Sequence, residues 1–250
     1  MVFQLTLLNK SRKLRYYSAG LASLLIPESY FRARLGHILD TLGEYDADYV
    51  LDRVNYYNKI SGGFDIGDEG IEIADFKYEG RGTYYLDTKC IVRFFEPDLK
   101  FSYIFGDVTN VPGYPAFVKS RPVVGNGTEN NDNSILLKLN QVRHFNFQHD
   151  RMAFREKRDK VVWRGRCFNE ARRTIVNRLH DKPRLDIGQT DEKKKHQPDY
   201  RPFLSIEDQL RYKFVLSLEG KDVATNLKWI MSSNLMPKPT IVKDTAYIQR

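Results

Sequence analysis

Hydrophobic and polar positions change their spacing several times along this 250-residue chain. Up to about Lys59, apolar residues recur at three and four: Leu35, Ile38, Leu39 and Leu42, then Val50, Leu51 and Val54. That spacing keeps one stripe of a 3.6-residue helix apolar, so helices are predicted through this segment. "SGGFDIGDEG" (61–70) breaks the pattern with turn residues. Three runs rich in β-branched and aromatic residues follow, "IEIADFKY", "TYYLDTKCIVRFF" and "LKFSYIFGDV", and each reads as a strand. Residues 109–134, with three prolines and several Gly/Asn pairs, read as mostly loop. Loops of that length are usually functional or disordered. "SILLKLN" then leads into the charged "RHFNFQHDRMAFREKRDK", where a boundary near residue 150 divides the chain into expected domains 1–150 and 151–250.

Beyond that boundary strand and helix alternate. "KVVWRG" reads as a strand, and Asn169 is placed to cap "EARRTIVNRLHD", whose Ala171, Ile175 and Leu179 share one face. "PRLDIG" is the next strand, "QTDEKKKHQPDYRP" a polar loop, and "SIEDQLR" opens with a capping pattern. "YKFVLSLEG" is an apolar strand, and "KDVATNLKWIMSSN" a helix with Ala224, Leu227, Ile230 and Met231 as its buried stripe. This rhythm predicts an α/β fold with a parallel sheet and helices packed on it.

Composition narrows the class. At 41% hydrophobic and 13% aromatic, the chain is that of a folded protein. No apolar run approaches the roughly 20 residues of a membrane span, and the N-terminus lacks a signal-peptide pattern, so a cytoplasmic location is expected. Cys90 and Cys167 lie far apart without ligand spacing, which argues against a disulfide or a metal site. The net charge of +8 suits nucleic acid, an anionic membrane or phosphorylated small molecules. Residues 1–36 carry six Lys/Arg against one Glu, interleaved with Tyr16, Tyr17, Tyr30 and Phe31. That mixture fits either a helix at an anionic membrane surface or a solvated helical face. No helix-turn-helix, RRM or zinc pattern is present, so nucleic acid is not an expected partner.

The basic residues collect instead at two strand–Gly–helix corners. Gly165 closes one strand and Gly220 another, with Arg164, Arg166 and Arg172 at the first and Lys221 and Lys228 at the second. Such corners offer free backbone N–H groups and the positive end of a helix dipole, and arginine can fork onto two phosphate oxygens. Neither corner is a Walker A loop or a GxGxxG turn. Two readings stand side by side: a seat for a diphosphate, or glycines that merely end strands while Arg164 pairs with an acidic neighbour such as Glu170 or Glu219.

"WRG" followed by Arg172, then "FVLSLEGKDVATNLKWIMSSN" and "MPKP", resembles glycosyltransferase family 90, in particular its bacterial lipopolysaccharide-core members. The resemblance runs from about Tyr45 to Pro239. It implies a GT-B-like fold of two Rossmann-like domains, an acceptor-side first domain and a donor-binding second one. It also implies inverting transfer from a nucleotide-sugar, UDP-linked, to a lipopolysaccharide core or related glycan, with no cofactor or metal. By the resemblance, Arg164 and Gly165 match the family's R-G corner, Arg172 a basic residue beyond it, and Gly220 and Lys228 the second donor corner. Thr225 offers a hydroxyl there, and Asn226 stands where eukaryotic members carry an arginine. Asp107 in "GDVTNVPGYP" matches the general base, against the plainer reading of a turn aspartate. Lys119, Ser120 and Arg121 in "FVKSRPV" either line the cleft or belong to a solvated loop. Members of the family continue past "MPKP", so a second domain incomplete at its C-terminus is expected, with impaired activity or nucleotide binding alone.

Overall fold

A computed structural model describes residues 2–123, 130–222, 224–234, 236–239 and 245–247. Part of the long predicted loop (124–129) lies outside them. The chain forms two compact units, Met1–Val142 with Asp244–Arg250, and Arg143–Lys243.

The first unit begins with the helices that the spacing predicts: α1 (Val2–Ser23), α2 (Glu28–Asp40) and α3 (Ala47–Tyr57). The Asp46 carboxylate accepts from the Tyr49 N–H at 2.8 Å and caps α3. Yet α2 and α3 contain no buried residue, and Leu14, Leu25, Leu39 and Leu51 are exposed. There follow β1 (Ile71–Glu72), α4 (Gly82–Val92), β2 (Lys100–Phe101), β3 (Tyr103–Ile104), β4 (Ala116–Val118), β5 (Ser120–Pro122), β6 (Ser134–Leu136) and α5 (Gln141–His144). β1 pairs antiparallel with β2, and β3, β4 and β6 form a parallel sheet in that order. Ile73, Phe76, Val92 and Phe101 make the core, flanked by Tyr85, Tyr103, Phe105 and Phe117.

Two expectations are corrected here. "TYYLDTKCIV" is the helix α4, not a strand. Tyr84, Leu86, Asp87, Thr88, Lys89 and Val92 are all buried, so the helix lacks the polar face that would have shown a 3.6-residue period. Its polar members have partners instead. Tyr16 donates to Asp87 Oδ1 at 2.6 Å and the Gln141 N–H to Oδ2 at 2.9 Å, tying α1 and α5 to α4. Burial raises the Asp87 pKa, and these hydrogen bonds oppose the rise. The second correction is that β4 and β5 lie inside the stretch read as loop. Three-residue strands between prolines are too short for alternation to show.

The second unit follows the predicted rhythm: β7 (Arg158–Gly165), α6 (Glu170–Leu179), β8 (Leu185–Gln189), α7 (Ile206–Gln209), β9 (Tyr212–Ser217), α8 (Leu227–Met231) and β10 (Met236–Pro239). The strands lie parallel in the order β10-β9-β7-β8. Val162 packs on one face with Leu210, Tyr212, Val215, Trp229 and Ile230, and Trp163 on the other with Val176, Ile187 and Leu216. Each such side chain taken from water contributes about 1.5–3 kcal/mol, which is why the centre of β7 is the apolar triplet Val161-Val162-Trp163 with no polar residue between. α8 starts at Leu227, later than predicted, because Asn226 anchors the preceding turn to β9. Ser217 Oγ donates to Asn226 Oδ1 and Asn226 Nδ2 to the Leu216 carbonyl, both at 3.0 Å. Trp229 takes the place expected for Met231, whose exposure is 62%. Finally, β11 (Thr245–Tyr247) pairs antiparallel with β5, so this stretch of the expected second domain joins the first unit.

Candidate functional site

In the second unit the strand order reverses between β7 and β9: β8 lies to one side of β7, and β9 and β10 lie to the other. Ligands of open parallel sheets bind beyond the carboxyl ends of the strands at such a switch point. Gly165 ends β7 there, and Gly220 lies just past β9. Asn169 caps α6 by accepting from the Arg172 N–H at 2.9 Å, while its Nδ2 donates to the Gly220 carbonyl at 2.8 Å. From the first turn of α6, Arg172 donates through Nε to the Glu219 carbonyl (2.6 Å), and through its terminal nitrogens to Leu218 (2.7 Å) and Arg166 (3.2 Å). These two side chains stitch both corners together.

Three of the five guanidinium N–H groups of Arg172 are thereby used. Among the described residues no carboxylate lies within ion-pair distance of it. Burial lowers its pKa, Cys167 opposes the fall, and the neighbouring charge of Arg143 adds to it. The guanidinium sits over the exposed ring of Phe168, 4.8 Å from its centroid. A side chain at position 220 would meet that ring at 3.2 Å and Arg172 at 3.6 Å, so glycine keeps the space beside the cation open. Gly165 has a different reason to be glycine: a Cβ would lie 2.7 Å from the Trp163 ring.

The other predicted donor residues lie elsewhere. Arg164 turns to the face of Val162, where Asp186 Oδ1 accepts from it at 2.6 Å and the carbonyls of Asp186 (2.6 Å) and Pro202 (3.0 Å) take further bonds. Arg164 thus pairs with an acidic neighbour, as the plainer reading expected, but that neighbour is Asp186 of the adjacent strand rather than Glu170 or Glu219. Tyr212 donates to its Oδ2 at 2.6 Å. Burial works against ionisation of Asp186, but the bonds from Tyr212 and Arg164 and the charges of Arg164 and Arg201 outweigh it and lower its pKa. Lys228 lies in α8 with its ammonium 4.1 Å from the Phe145 ring centroid, and Thr225 is half-buried in the turn before it. The structure therefore gathers Gly165, Arg172 and Gly220 at the crevice and gives Arg164 and Lys228 partners of their own.

In the first unit, Asp107 follows β3 after a turn through Gly106, whose φ is +114°. The buried Lys119 donates to Asp107 Oδ1 at 2.6 Å, and 40% of the aspartate side chain stays exposed. The solvated-loop reading of residues 119–121 is corrected, since all three are buried. Ser120 Oγ donates to the Val108 carbonyl at 3.4 Å, and Arg121 donates to the Tyr56 carbonyl while lying 5.4 Å from that ring's centroid. Lys119 and Ser120 brace the turn that carries the carboxylate.

No protein-family model and no solved structure matches the chain. It is, however, 38% identical over 233 residues to "O-glucosyltransferase LpsA" of Dichelobacter nodosus, a match covering 91% of this chain and 72% of that protein. The chain belongs to that glycosyltransferase's family. As a transferase it needs a place for a sugar donor and one for an acceptor. An uncompensated guanidinium in one unit and a braced carboxylate in the other are groups of the kinds those two tasks use. Sequence reading missed Phe168 and the second bond of Asn169. The asparagine was legible as a cap, but its reach to Gly220 depends on β7 and β9 being neighbours, which no local pattern states. No described helix of the transferase is long and apolar enough to cross a membrane, and no group of three or more metal-ligating side chains occurs among the described residues.

Proposed function

We propose that the chain is an inverting, GT-B-like O-glucosyltransferase, moving glucose from a nucleotide-sugar to a hydroxyl of a lipopolysaccharide core or related glycan. The relative's name supplies the reaction class. The observation that carries the donor site is the Arg172 guanidinium without a counter-charge, beside Gly220 and at the start of α6. Its two remaining N–H groups take diphosphate oxygens, and Phe168 offers its exposed ring to the base. As the diphosphate leaves, its growing charge is met by a cation already in place. Asp107, oriented by Lys119, takes the proton of the acceptor hydroxyl as it attacks the anomeric carbon. Arg164 and Lys228 shape the second unit around the donor. Leu14, Leu21 and Leu25, exposed on the first unit with Lys13, Arg15 and Arg34, suit contact with an anionic membrane at its cytoplasmic face.

The test pairs UDP-glucose with a lipopolysaccharide-core oligosaccharide. Asp107→Asn is expected to lower transfer by about 10²–10⁴-fold while leaving UDP affinity unchanged. Loss of both together would make Asp107 a structural residue, and UDP binding by the wild-type chain without turnover would contradict the catalytic reading.

A further inference from the structure

A hollow of about 260 Å³ opens on the first unit between the segment ahead of α4 and the end of β3. It lies just below the range of small-molecule sites, about 300–1,000 Å³, and so suits a single ring rather than a long ligand. Its wall is aromatic: Tyr85, Tyr103 and Phe105, all half-buried, with the Tyr103 and Phe105 centroids 4.2 Å apart. Its rim is charged, with Lys77, Arg81 and Glu79. Two cations and one carboxylate line the rim; Lys77 also faces the exposed Asp75 at 3.8 Å, so Arg81 is the rim cation with no carboxylate in an ion pair among the described residues.

The rim is also fixed. Arg81 donates to the Phe105 carbonyl, and a Cβ at position 106 would stand 2.8 Å from its terminal nitrogen, so Gly106 is what lets the guanidinium close against the backbone. Asp107 is the next residue. From Phe105 to Asp107 the chain spans at most about 7 Å, so the segment that lines the hollow leads directly into the turn carrying the carboxylate, which is not itself part of the wall.

We propose that this hollow is an acceptor subsite for an anionic sugar, a pyranose carrying a carboxylate or a phosphate. The placement at the acceptor rests on the reading of Asp107 as the base; the ligand chemistry rests on the hollow alone. The C–H face of the ring lies on the aromatic wall, whose π-faces are electron-rich. Arg81 forks onto the anionic substituent with Lys77 beside it. Glu79 accepts from ring hydroxyls. The tyrosine hydroxyls are donors at neutral pH, as tyrosines ordinarily are, and burial, with the Glu79 charge acting on Tyr103, raises their pKa further.

The test is a titration of the whole chain, followed by calorimetry, with glucose, glucuronate, glucose 6-phosphate and inorganic phosphate as probes. Glucuronate and glucose 6-phosphate are expected to bind at least about tenfold more tightly than glucose, and inorganic phosphate more weakly than either. Lys77→Gln with Arg81→Gln should abolish that preference while glucose binding and UDP binding persist. Tyr103→Leu, which keeps an apolar wall but removes the ring and hydroxyl, should weaken all three sugars. Equal binding of charged and neutral sugars, or a preference that survives the double variant, overturns the proposal. If glucose transfer is found but neither variant changes the acceptor KM, the subsite is wrong and the transferase reading stands. If no transfer is found, the binding series still decides the subsite.

Discussion

The two units solve the problem of burial differently. In the second, each central strand is covered on both faces: Val162 and Trp163, adjacent in sequence, belong to separate apolar cores. In the first, the parallel strands are only two or three residues long, and α2 and α3 contain no buried residue. The sheet of the second unit, covered on both faces, carries the crevice with the Arg172 guanidinium, which has no ion-pair partner among the described residues. The first unit carries its carboxylate on a turn that depends on particular polar contacts, Lys119 on Asp107 and Ser120 on the Val108 carbonyl. In the proposed reaction, a cation that meets a leaving diphosphate profits from a site packed on both faces, and a base that meets an acceptor hydroxyl profits from orientation with access to solvent.

If this contrast is right, core truncation separates the units most strongly. Trp163→Ala should cost about 3–5 kcal/mol in a urea titration, whereas Leu25→Ala on the exposed stretch after α1 should stay within about 0.5 kcal/mol. Equal losses would erase the distinction. The next effect concerns the Arg164–Asp186–Tyr212 cluster. Asp186→Asn should cost about 1.5–3 kcal/mol at pH 7, because a buried arginine loses its charged acceptor. The pH dependence has a definite sign. The folded Asp186 has a lowered pKa, so the unfolded chain binds the proton first as the solution is acidified. Its stabilisation is complete above about pH 4 and is lost as pH falls through the depressed folded value. Thermal midpoints measured between pH 3 and 7 should therefore converge for the wild type and Asp186→Asn at the acid end. Curves that stay parallel would show that folding leaves the Asp186 pKa unchanged, against the lowered value. A smaller shift than for Asp186→Asn is expected for Lys213→Ala, whose ion pair with the exposed Asp159 spans 3.7 Å and should be worth no more than about 1 kcal/mol.

Legibility in the sequence follows the same division. The strands and connecting helices of the second unit could be read because covering a strand on both faces demands a continuous apolar run, and Asn169 and Ser205 cap where expected. The first unit's helices α1 to α3 were legible from spacing. α4 was not, since burial on nearly all sides removes amphipathic contrast. At the site, Gly165, Arg172 and Gly220 could be singled out from glycine-ended strands and nearby arginines. That Arg164 would turn to Asp186 could not, because strand adjacency decides it. The roles of Lys119 and Ser120 were hidden for the same reason: "VKSRPV" has the composition of a surface loop, and only the turn at Asp107 makes its polar atoms buried partners.

The most direct measurement is a calorimetric titration of UDP into the wild-type chain, Arg172→Lys and Arg172→Met. Saturable binding to the wild type is predicted, weakened at least about tenfold, or 1.4 kcal/mol, in Arg172→Met and partly restored by the single ammonium of Arg172→Lys. UDP binding that is absent, or equally tight in all three proteins, would contradict a donor site at the β7–β9 crevice.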